Sequence, residues 1–300
     1  MKSFILVVIA VIFCSCSKPE PAQGQPQPQI PAQGNFIDYI SSVKVPENLS
    51  FCGERVPMEI PEVRERVERE FYLLLQQPGQ LVIYLKRAGR YFDMYDRILK
   101  EEGAPSDLKY LSVAESALFM ARSAKDAVGL WQFIPATGRS MGLRIDDDVD
   151  ERRNPEKSTR AGIRYLKQGY QNYKNWTLAA AGYNMGHENV MENIKFQSGD
   201  DFYDLYLNEE TSRYILRIVL IKEMFENGQK YGLHMPQTER YLPDNYSVVT
   251  VNDGIADLSA WARSQGTTYK DVKLLNLWIL KRALPAPERG KSYEIYIPKK

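Results

Sequence analysis

From residue 61 onward, apolar side chains recur with the three- or four-residue spacing of amphipathic helices. Val63, Val67 and Phe71 lie at this spacing with charged residues between them, which predicts a helix that begins at Pro61 and ends before Pro78. The same pattern predicts further helices at residues 81–85, 91–100, 107–120, 155–173, 176–185 and 210–229. No strand-rich array is predicted in this part of the chain, so its fold class is mainly α.

The pattern changes after residue 243, where short runs of β-branched and aromatic residues appear. The predicted elements are strands at Tyr246–Val251 and Tyr293–Ile297 and helices at 255–263 and 268–276. A β-α-α-β order in so short a segment is typical of a small α+β module. We therefore expect a mainly α domain at residues 51–235, followed by a separate module at residues 243–300.

The first 16 residues resemble a bacterial lipoprotein signal. Lys2 precedes an apolar stretch at residues 4–13, which is too short to span a bilayer. Ser15 then precedes Cys16, and a small residue before a cysteine at this place predicts that Cys16 is lipidated. Cleavage by an ordinary signal peptidase, which leaves a soluble protein, is the alternative. Residues 17–50 are rich in Pro and Gln and are predicted to be an extended tether, which suits a protein on the periplasmic face of the outer membrane.

Charge and composition exclude several classes of function. The 39 basic and 38 acidic residues give a net charge of +1 and are interspersed, so the sequence has no electrostatic footprint for a nucleic acid. The two histidines, His187 and His234, match no metal-ligand spacing, and no glycine-rich phosphate loop follows a predicted strand. We therefore expect no nucleic-acid partner, no metal and no cofactor.

The segment from Tyr110 to Met120 contains one charged residue, Glu115. In a helix, Glu115 lies on one stripe with Leu111 and Leu118, so its carboxylate falls on a face that is otherwise apolar. Loss of hydration raises the pKa of such a carboxyl group, as a general acid near neutral pH requires. A buried glutamate that caps a helix end or pairs with an arginine fits the periodicity equally well.

Three further segments carry aromatic and amide side chains between small residues. They are Gly129–Gly138 (GLWQFIPATG), Ala179–Gly186 (AAAGYNMG) and Glu210–Ile215 (ETSRYI). Each segment alone is explained by core packing. Together with Glu115-Ser116, and in this order, they resemble the catalytic domain of lytic transglycosylases of the soluble-transglycosylase type, in particular the membrane-bound lytic transglycosylase D group. The resemblance covers residues 55–235.

This resemblance implies a lysozyme-like, mostly helical domain with a groove for a glycan strand. It assigns the role of general acid and base to Glu115. The side chains that it places along the groove are Ser123, Gln132, Tyr183 and Asn184, with Tyr214 near the catalytic carboxylate. Gly182 stands where alanine is commoner and His187 where an acidic residue is usual, and neither difference removes a catalytic group.

The activity that the resemblance implies is cleavage of peptidoglycan between N-acetylmuramic acid and N-acetylglucosamine, with formation of 1,6-anhydro-N-acetylmuramic ends. Ordinary glycosidases use two carboxylates, but the motif segments offer no obvious partner for Glu115. The acidic cluster at residues 146–148 lies in a predicted loop and is expected to be solvated. A muramidase-type hydrolase on the same scaffold and a non-catalytic wall-binding lipoprotein are the alternatives.

The C-terminal module resembles a LysM peptidoglycan-binding domain. Tyr246–Val248 and Asn276 lie where that family has Tyr-x-Val and Asn, and Ile295–Pro298 matches its terminal Ile-Pro. Asn252–Ile255 departs from the Gly-Asp-Thr-Leu that is usual there. The resemblance implies binding to glycan strands, and a small domain that only packs on the catalytic one is the alternative.

Overall fold

The computed structural model describes residues 36–299. The predicted signal peptide, the predicted lipidation site Cys16 and part of the predicted tether lie outside the described residues. The chain divides into two compact units, of which the first contains helix α1 (Phe36–Ser42) and the second begins at Val43. In the described part of the chain, no helix is both long enough and apolar enough to cross a membrane.

The second unit is mainly helical. Its first eight helices are α2 (Pro61–Leu75), α3 (Pro78–Glu101), α4 (Lys109–Ser116), α5 (Pro135–Ser140), α6 (Pro155–Tyr173), α7 (Trp176–Met185), α8 (His187–Gln197) and α9 (Glu209–Asn227). A short antiparallel hairpin of β1 (Ser50–Phe51) and β2 (Glu54–Arg55) precedes them. Helix α9 contacts α2, α4 and α7, and α7 also contacts α6 and α8, so α7 and α9 form the centre. The prediction of a mainly α fold is confirmed.

Capping side chains fix where two helices begin. The side chains of Asn154 and Asn175 accept the N3 backbone N–H of α6 at 3.0 Å and of α7 at 2.7 Å. The Glu54 carboxylate adds a second cap to α7, because it accepts the backbone N–H groups of Trp176 at 2.5 Å and Thr177 at 2.8 Å. A negative charge at this end is favoured by the helix dipole. These contacts fix helix α7 at its start, opposite the end that carries its polar motif.

Helix α3 corrects a prediction. The sequence predicts two helices at 81–85 and 91–100, whereas the structure has one continuous helix. Gly89 lies within it, and a Cβ atom there would lie 2.7 Å from both the Tyr241 carbonyl oxygen and the Arg240 Cβ. The glycine therefore allows a distant segment to pack against the helix, and it does not end the helix.

Helix α8 and the β1–β2 hairpin were not predicted. Val190 is the only buried residue of α8, and the side chains of Met191 and Phe196 are exposed, so the apolar positions of this helix do not mark one buried face. The hairpin strands are two residues long, which is too short for an alternating pattern.

The C-terminal module has the predicted β-α-α-β order. Its elements are β3 (Tyr246–Val251), α10 (Leu258–Ser264), α11 (Tyr269–Leu275) and β4 (Tyr293–Pro298), and the two strands pair antiparallel. Fully buried Asn276 joins α11 to β4. Its amide donates to the carbonyl oxygens of Val272 at 2.8 Å and Tyr296 at 2.7 Å, and it accepts the Tyr296 N–H at 2.9 Å. Because the buried Asn276 amide forms all three of these hydrogen bonds, it fixes the position of α11 against β4.

The module packs against the loop between α5 and α6. Val149 of this loop belongs to the hydrophobic core of the module, beside Ile279. The Asp150 N–H donates to the Trp278 carbonyl oxygen at 2.9 Å. The module therefore packs on the catalytic domain, as the alternative of a domain that only packs there requires. This packing is compatible with glycan binding elsewhere on the module.

Candidate active site

Glu115 lies in the last turn of α4, where the helix ends in an unusual way. Ala117 and Leu118 both have left-handed backbone conformations, with φ of 55° and 54°. Such strain in consecutive non-glycine residues persists only where the surroundings hold it in place. Here the hydroxyls of Ser112 and Ser116 both donate to the Leu130 carbonyl oxygen, at 2.9 and 2.8 Å. The end of α4 is therefore tied to the loop that precedes α5.

Five of the six predicted site residues line one cavity of about 400 Å³. They are Glu115, Ser123, Gln132, Tyr183 and Asn184. Tyr214, the sixth, lies behind Glu115 and donates a 2.5 Å hydrogen bond to its Oε1 atom. The structure therefore brings together side chains that lie up to 99 residues apart in the sequence.

The surroundings of Glu115 raise its pKa to about 7. Burial against the cavity wall is the largest cause, because it removes hydration from the charged form. The Tyr214 hydrogen bond acts in the opposite direction, and the negative charge of Glu210 raises the pKa further. Near neutral pH, this carboxyl group therefore exists in both protonation states, as a group that gives and then takes back a proton must.

Replacing Tyr214 by Phe is expected to raise the pKa of Glu115 further. The hydroxyl donates to the carboxylate and so favours its charged form, and loss of a hydrogen bond to a charged group corresponds to roughly one pKa unit or more. A ¹³C NMR titration of the glutamate carboxyl groups measures the shift. Tyr110→Phe is the matched control, since that hydroxyl donates to Glu226, which does not line the cavity. An unchanged Glu115 titration in Tyr214→Phe would contradict the assignment of this hydrogen bond.

The loop before α5 presents Gln132 to the cavity. Trp131 is buried and donates from its indole N–H to the Thr159 hydroxyl at 2.9 Å, which anchors the loop on α6. Gln132 follows with a left-handed backbone, φ 48°, and its side-chain amide donates to the Gly129 carbonyl oxygen at 2.8 Å. Buried Arg152 braces the same loop through the Phe133 carbonyl oxygen at 3.0 Å. The motif thus combines one aromatic anchor with one amide at the cavity.

The end of α7 supplies another part of the cavity lining. Tyr183 donates to the Trp131 carbonyl oxygen at 2.6 Å, and burial raises the pKa of its hydroxyl well above its usual value. Asn184 accepts a hydrogen bond from the Thr211 hydroxyl at 2.8 Å, which ties α7 to α9. Exposed Ser123 lies at the rim, where its hydroxyl oxygen accepts the Ala127 N–H at 3.0 Å. The O–H of Ser123 is still able to donate to a ligand.

Sequence reasoning missed Glu210 as a site residue. This exposed carboxylate lines the same cavity, and its charge acts on Glu115. It is the first residue of the Glu-Thr-x-x-Tyr motif, so the signal was present in the sequence. Only the packing of α9 against α4 and α7 brings it to the wall. The acidic cluster at residues 146–148, by contrast, does not line the cavity.

The two departures from the family pattern, Gly182 and His187, are structurally linked. A Cβ atom on Gly182 would lie 2.1 Å from the His187 ring, and one on Gly169 would lie 2.4 Å from it. The imidazole lies against the Tyr165 ring, with centroids 4.4 Å apart, and its Nε2 atom is 3.1 Å from the Tyr165 carbonyl oxygen. Glycine at position 182 therefore makes room for the histidine ring.

Gly182→Ala is expected to destabilise the protein by about 2 kcal/mol, because the added methyl group overlaps the His187 ring. Chemical denaturation measures the free energy of unfolding. In a His187→Ala background the ring is absent, so Gly182→Ala should cost much less there. The free energies of unfolding of the double variant and of His187→Ala should therefore be similar. Additive effects of the two changes would show that the contact is not the cause.

Family models identify the class of domain that holds most of this site, since Glu210 and Tyr214 lie beyond the matched residues. Residues 95–205 match the model of the Transglycosylase SLT domain, and residues 247–300 match that of the Soluble lytic transglycosylase C-terminal LysM-like domain. The chain therefore contains an SLT transglycosylase domain followed by a LysM-like domain, as the sequence motifs predicted.

Among curated proteins, the chain is similar to the membrane-bound lytic murein transglycosylase D of Escherichia coli K12 and to that of a second strain, O6:H1. Each is 27% identical over 277 residues, which cover 90% of this chain and 60% of the relative. The chain thus spans about 60% of the length of these relatives. Among solved structures, an inactive mutant of the lytic transglycosylase Slt from Pseudomonas aeruginosa is 27% identical, with a TM-score of 0.38, and covers 50% of this chain and 26% of its own.

Proposed function

We propose that this chain is a lytic transglycosylase that cleaves the β-1,4 bond between N-acetylmuramic acid and N-acetylglucosamine and leaves 1,6-anhydro-N-acetylmuramic ends. The observation that carries the proposal is Glu115, whose pKa is raised to about 7 at the wall of a cavity shared with Gln132, Tyr183 and Asn184. The match of residues 95–205 to the transglycosylase SLT domain supports the same reaction.

The mechanism uses one carboxyl group twice. Protonated Glu115 gives its proton to the glycosidic oxygen as the bond to the N-acetylmuramic C1 breaks, and N-acetylglucosamine leaves. The 2-acetamido oxygen of the same sugar stabilises the oxocarbenium-like charge at C1. The Glu115 carboxylate then takes the proton of the 6-hydroxyl, whose oxygen bonds to C1 and closes the anhydro ring. No water is consumed, and Glu115 ends protonated as it began.

The other groups of the cavity orient the sugar. Gln132 and Asn184 present amide groups, and Tyr183 is fixed by its bond to the Trp131 carbonyl oxygen. Because Tyr183 and Asn184 lie at the end of packed helix α7 and Gln132 lies in a loop that Trp131 anchors, they hold the sugar with little loss of freedom during the reaction. The Tyr214 hydroxyl stabilises the carboxylate that forms after the first proton transfer.

Glu210 favours one alternative activity. A second carboxylate in the cavity could activate a water molecule as general base, and hydrolysis by two carboxyl groups is the ordinary route of glycosidases. The protein would then be a muramidase on the same scaffold. Glu210 is exposed, and it also raises the pKa of Glu115, which is a sufficient role in the transglycosylase reaction.

Mass spectrometry of the products separates these activities. Purified peptidoglycan is incubated with the protein and, in parallel, with its Glu115→Gln variant. Ends of 1,6-anhydro-N-acetylmuramic acid that are absent with the variant support the proposal. Reducing ends that have gained one water indicate the muramidase, and binding without cleavage indicates a wall-binding lipoprotein.

We also propose the organisation of the chain around this domain. Its parts are a signal peptide at 1–16 that ends in lipidated Cys16, a tether that begins at residue 17, a catalytic domain at 51–235 and a glycan-binding LysM-like module at 243–300. The tether predicted at 17–50 includes helix α1, and residues 43–50 belong to the second compact unit. The lipid anchor would hold the enzyme on the periplasmic face of the outer membrane. Metabolic labelling with a radioactive fatty acid should then mark the parent protein but not Cys16→Ala, and an unlabelled parent protein would contradict the anchor.

A further inference from the structure

A second large cavity lies between the catalytic helices and the C-terminal module. Its volume is about 550 Å³, and it is walled by α5, α6 and the loop between them on one side and by the segment from Pro287 to Tyr293 on the other. Two acidic side chains, Glu151 and Glu288, line it. Its basic side chains are Arg139, Arg144, Lys157, Arg160, Arg164 and Lys291. We refer to this cavity as the cationic cleft.

Part of the positive charge of the cationic cleft is not neutralised by the protein. Lys157 pairs with Glu151 and Lys291 with Glu288, whereas Arg144 and Arg160 pair with acidic residues outside the lining. Arg139 and Arg164 form no ion pair with any residue in the described range 36–299. They donate instead to the carbonyl oxygens of Ile145 at 3.0 Å and Met141 at 2.6 Å. Each guanidinium has further N–H groups, which fit the oxygens of a carboxylate.

The cationic cleft is adjacent to the candidate active site. On α6, Tyr165 lines the active-site cavity and Arg164, the residue before it, lines the cleft. On α5, Thr137 faces the active-site cavity and Arg139 faces the cleft. Successive residues of a helix point about 100° apart, so the two cavities open on neighbouring faces of α6, whereas Thr137 and Arg139, two residues apart, place them on nearly opposite sides of the short helix α5.

We propose that the cationic cleft binds the acidic peptide chains carried by glycan strands while the sugar backbone lies beside Glu115. This inference rests on the proposed function for its substrate. The volume suits a peptide of a few residues and is far larger than a single phosphate requires. Among the described residues, no exposed large hydrophobic side chain lines the cleft, which disfavours a membrane surface as the occupant. The protein thereby distinguishes peptide-bearing strands from naked ones.

Binding of a free peptide tests the cleft without any need for catalysis. The probe is the tetrapeptide L-alanyl-γ-D-glutamyl-meso-diaminopimelyl-D-alanine, added to the Glu115→Gln protein in a calorimeter. The double variant Arg139→Gln/Arg164→Gln should bind it at least about tenfold more weakly, because charged hydrogen bonds are lost. Lys230→Gln/Arg263→Gln, which removes two positive charges outside both cavities, should bind it unchanged.

Three outcomes of this experiment would overturn the proposal, of which the first two are no binding by the parent protein and equal weakening in both double variants. Full displacement of the peptide by an equal concentration of inorganic phosphate would also overturn it, since it would indicate a simple anion site. Lys291→Gln provides a second variant that cannot disturb the core, because this side chain is exposed. It should weaken binding in the same direction.

Cleavage kinetics then connect the cleft to the reaction. With peptide-bearing strands, Arg139→Gln/Arg164→Gln should raise KM about tenfold and leave kcat unchanged, because the lost contacts are the same in the ground and transition states. With strands stripped of peptides by an amidase, the parent and the variant should react alike. Equal losses on both substrates would overturn the proposal. If neither substrate is cleaved but the tetrapeptide binds, the proposed function is wrong, and the assignment of the cationic cleft as a peptide-binding site still stands.

Discussion

Glu115→Gln is expected to lower the rate of glycan cleavage by roughly 10²- to 10⁴-fold, the usual contribution of general acid–base catalysis. The substitution keeps the shape of the side chain and its ability to accept the Tyr214 hydroxyl hydrogen bond, but it removes the proton that the leaving oxygen needs. Initial rates of release of soluble fragments from peptidoglycan measure the effect. Retained cleavage in the folded variant would remove Glu115 from its proposed role.

The same substitution is expected to change the pH dependence of stability. Because the pKa of Glu115 rises from 4.5 to about 7 on folding, the folded state binds more protons between these values. The contribution of Glu115 to the free energy of unfolding therefore falls as pH rises from about 4.5 to 7, by on the order of 3 kcal/mol. Glu115→Gln does not titrate there, so it should be more stable than the parent at pH 8 and similar to it at pH 4.

Glu226→Gln is the matched control for both effects. Glu226 lies on α9, accepts a hydrogen bond from a tyrosine as Glu115 does, and is exposed outside the active-site cavity. The Glu226→Gln variant should keep the cleavage activity of the parent protein. Its free energy of unfolding at pH 8 should change less than that of Glu115→Gln. A Glu115→Gln variant that is less stable than the parent at pH 8 would contradict the raised pKa.

Gly129→Ala is expected to lower the free energy of unfolding by about 4 kcal/mol. Gly129 has φ of 91°, and a Cβ atom there would lie 2.1 Å from the Arg152 carbonyl oxygen. Backbone strain and a clash with another backbone segment each cost roughly 1–3 kcal/mol. Relief of the clash would also displace Gln132, whose side chain donates to the Gly129 carbonyl oxygen, so cleavage should weaken as well. Urea denaturation and cleavage rates measure the two effects.

Two other glycines separate the causes of this loss. Gly103 has φ of 60°, and no atom lies within 4 Å of the place that an added methyl group would take, so Gly103→Ala tests strain alone and should cost about 1 kcal/mol. Gly79 lies in α3 in open space and without a positive φ, so Gly79→Ala should be neutral or slightly stabilising. A Gly129→Ala effect no larger than that of Gly103→Ala would show that the contact with Arg152 relaxes easily.

The helices that the sequence predicted well are those with local signals. Residues 155–173 and 176–185 carry an Asn cap before the first turn, and both helices have the predicted bounds. The split predicted in α3 was wrong because Gly89 serves a contact with residues 240–241, a reason that is invisible in the local sequence. Helix α8 was missed because its apolar positions do not mark one buried face, since only Val190 is buried.

The site shows the same division between local and distant information. The sequence by itself determined the mainly α fold, the C-terminal β-α-α-β order and the unusual position of Glu115 on an apolar stripe, because spacing and capping act within a few residues. Only the tertiary structure decided the pKa of Glu115, which depends first on the burial of its carboxyl group and then on Tyr214 and Glu210 from α9. It also decided the cationic cleft, whose two walls lie more than a hundred residues apart. Electrostatic and steric effects of this kind depend on distances in space, and only the packing of the helices sets those distances.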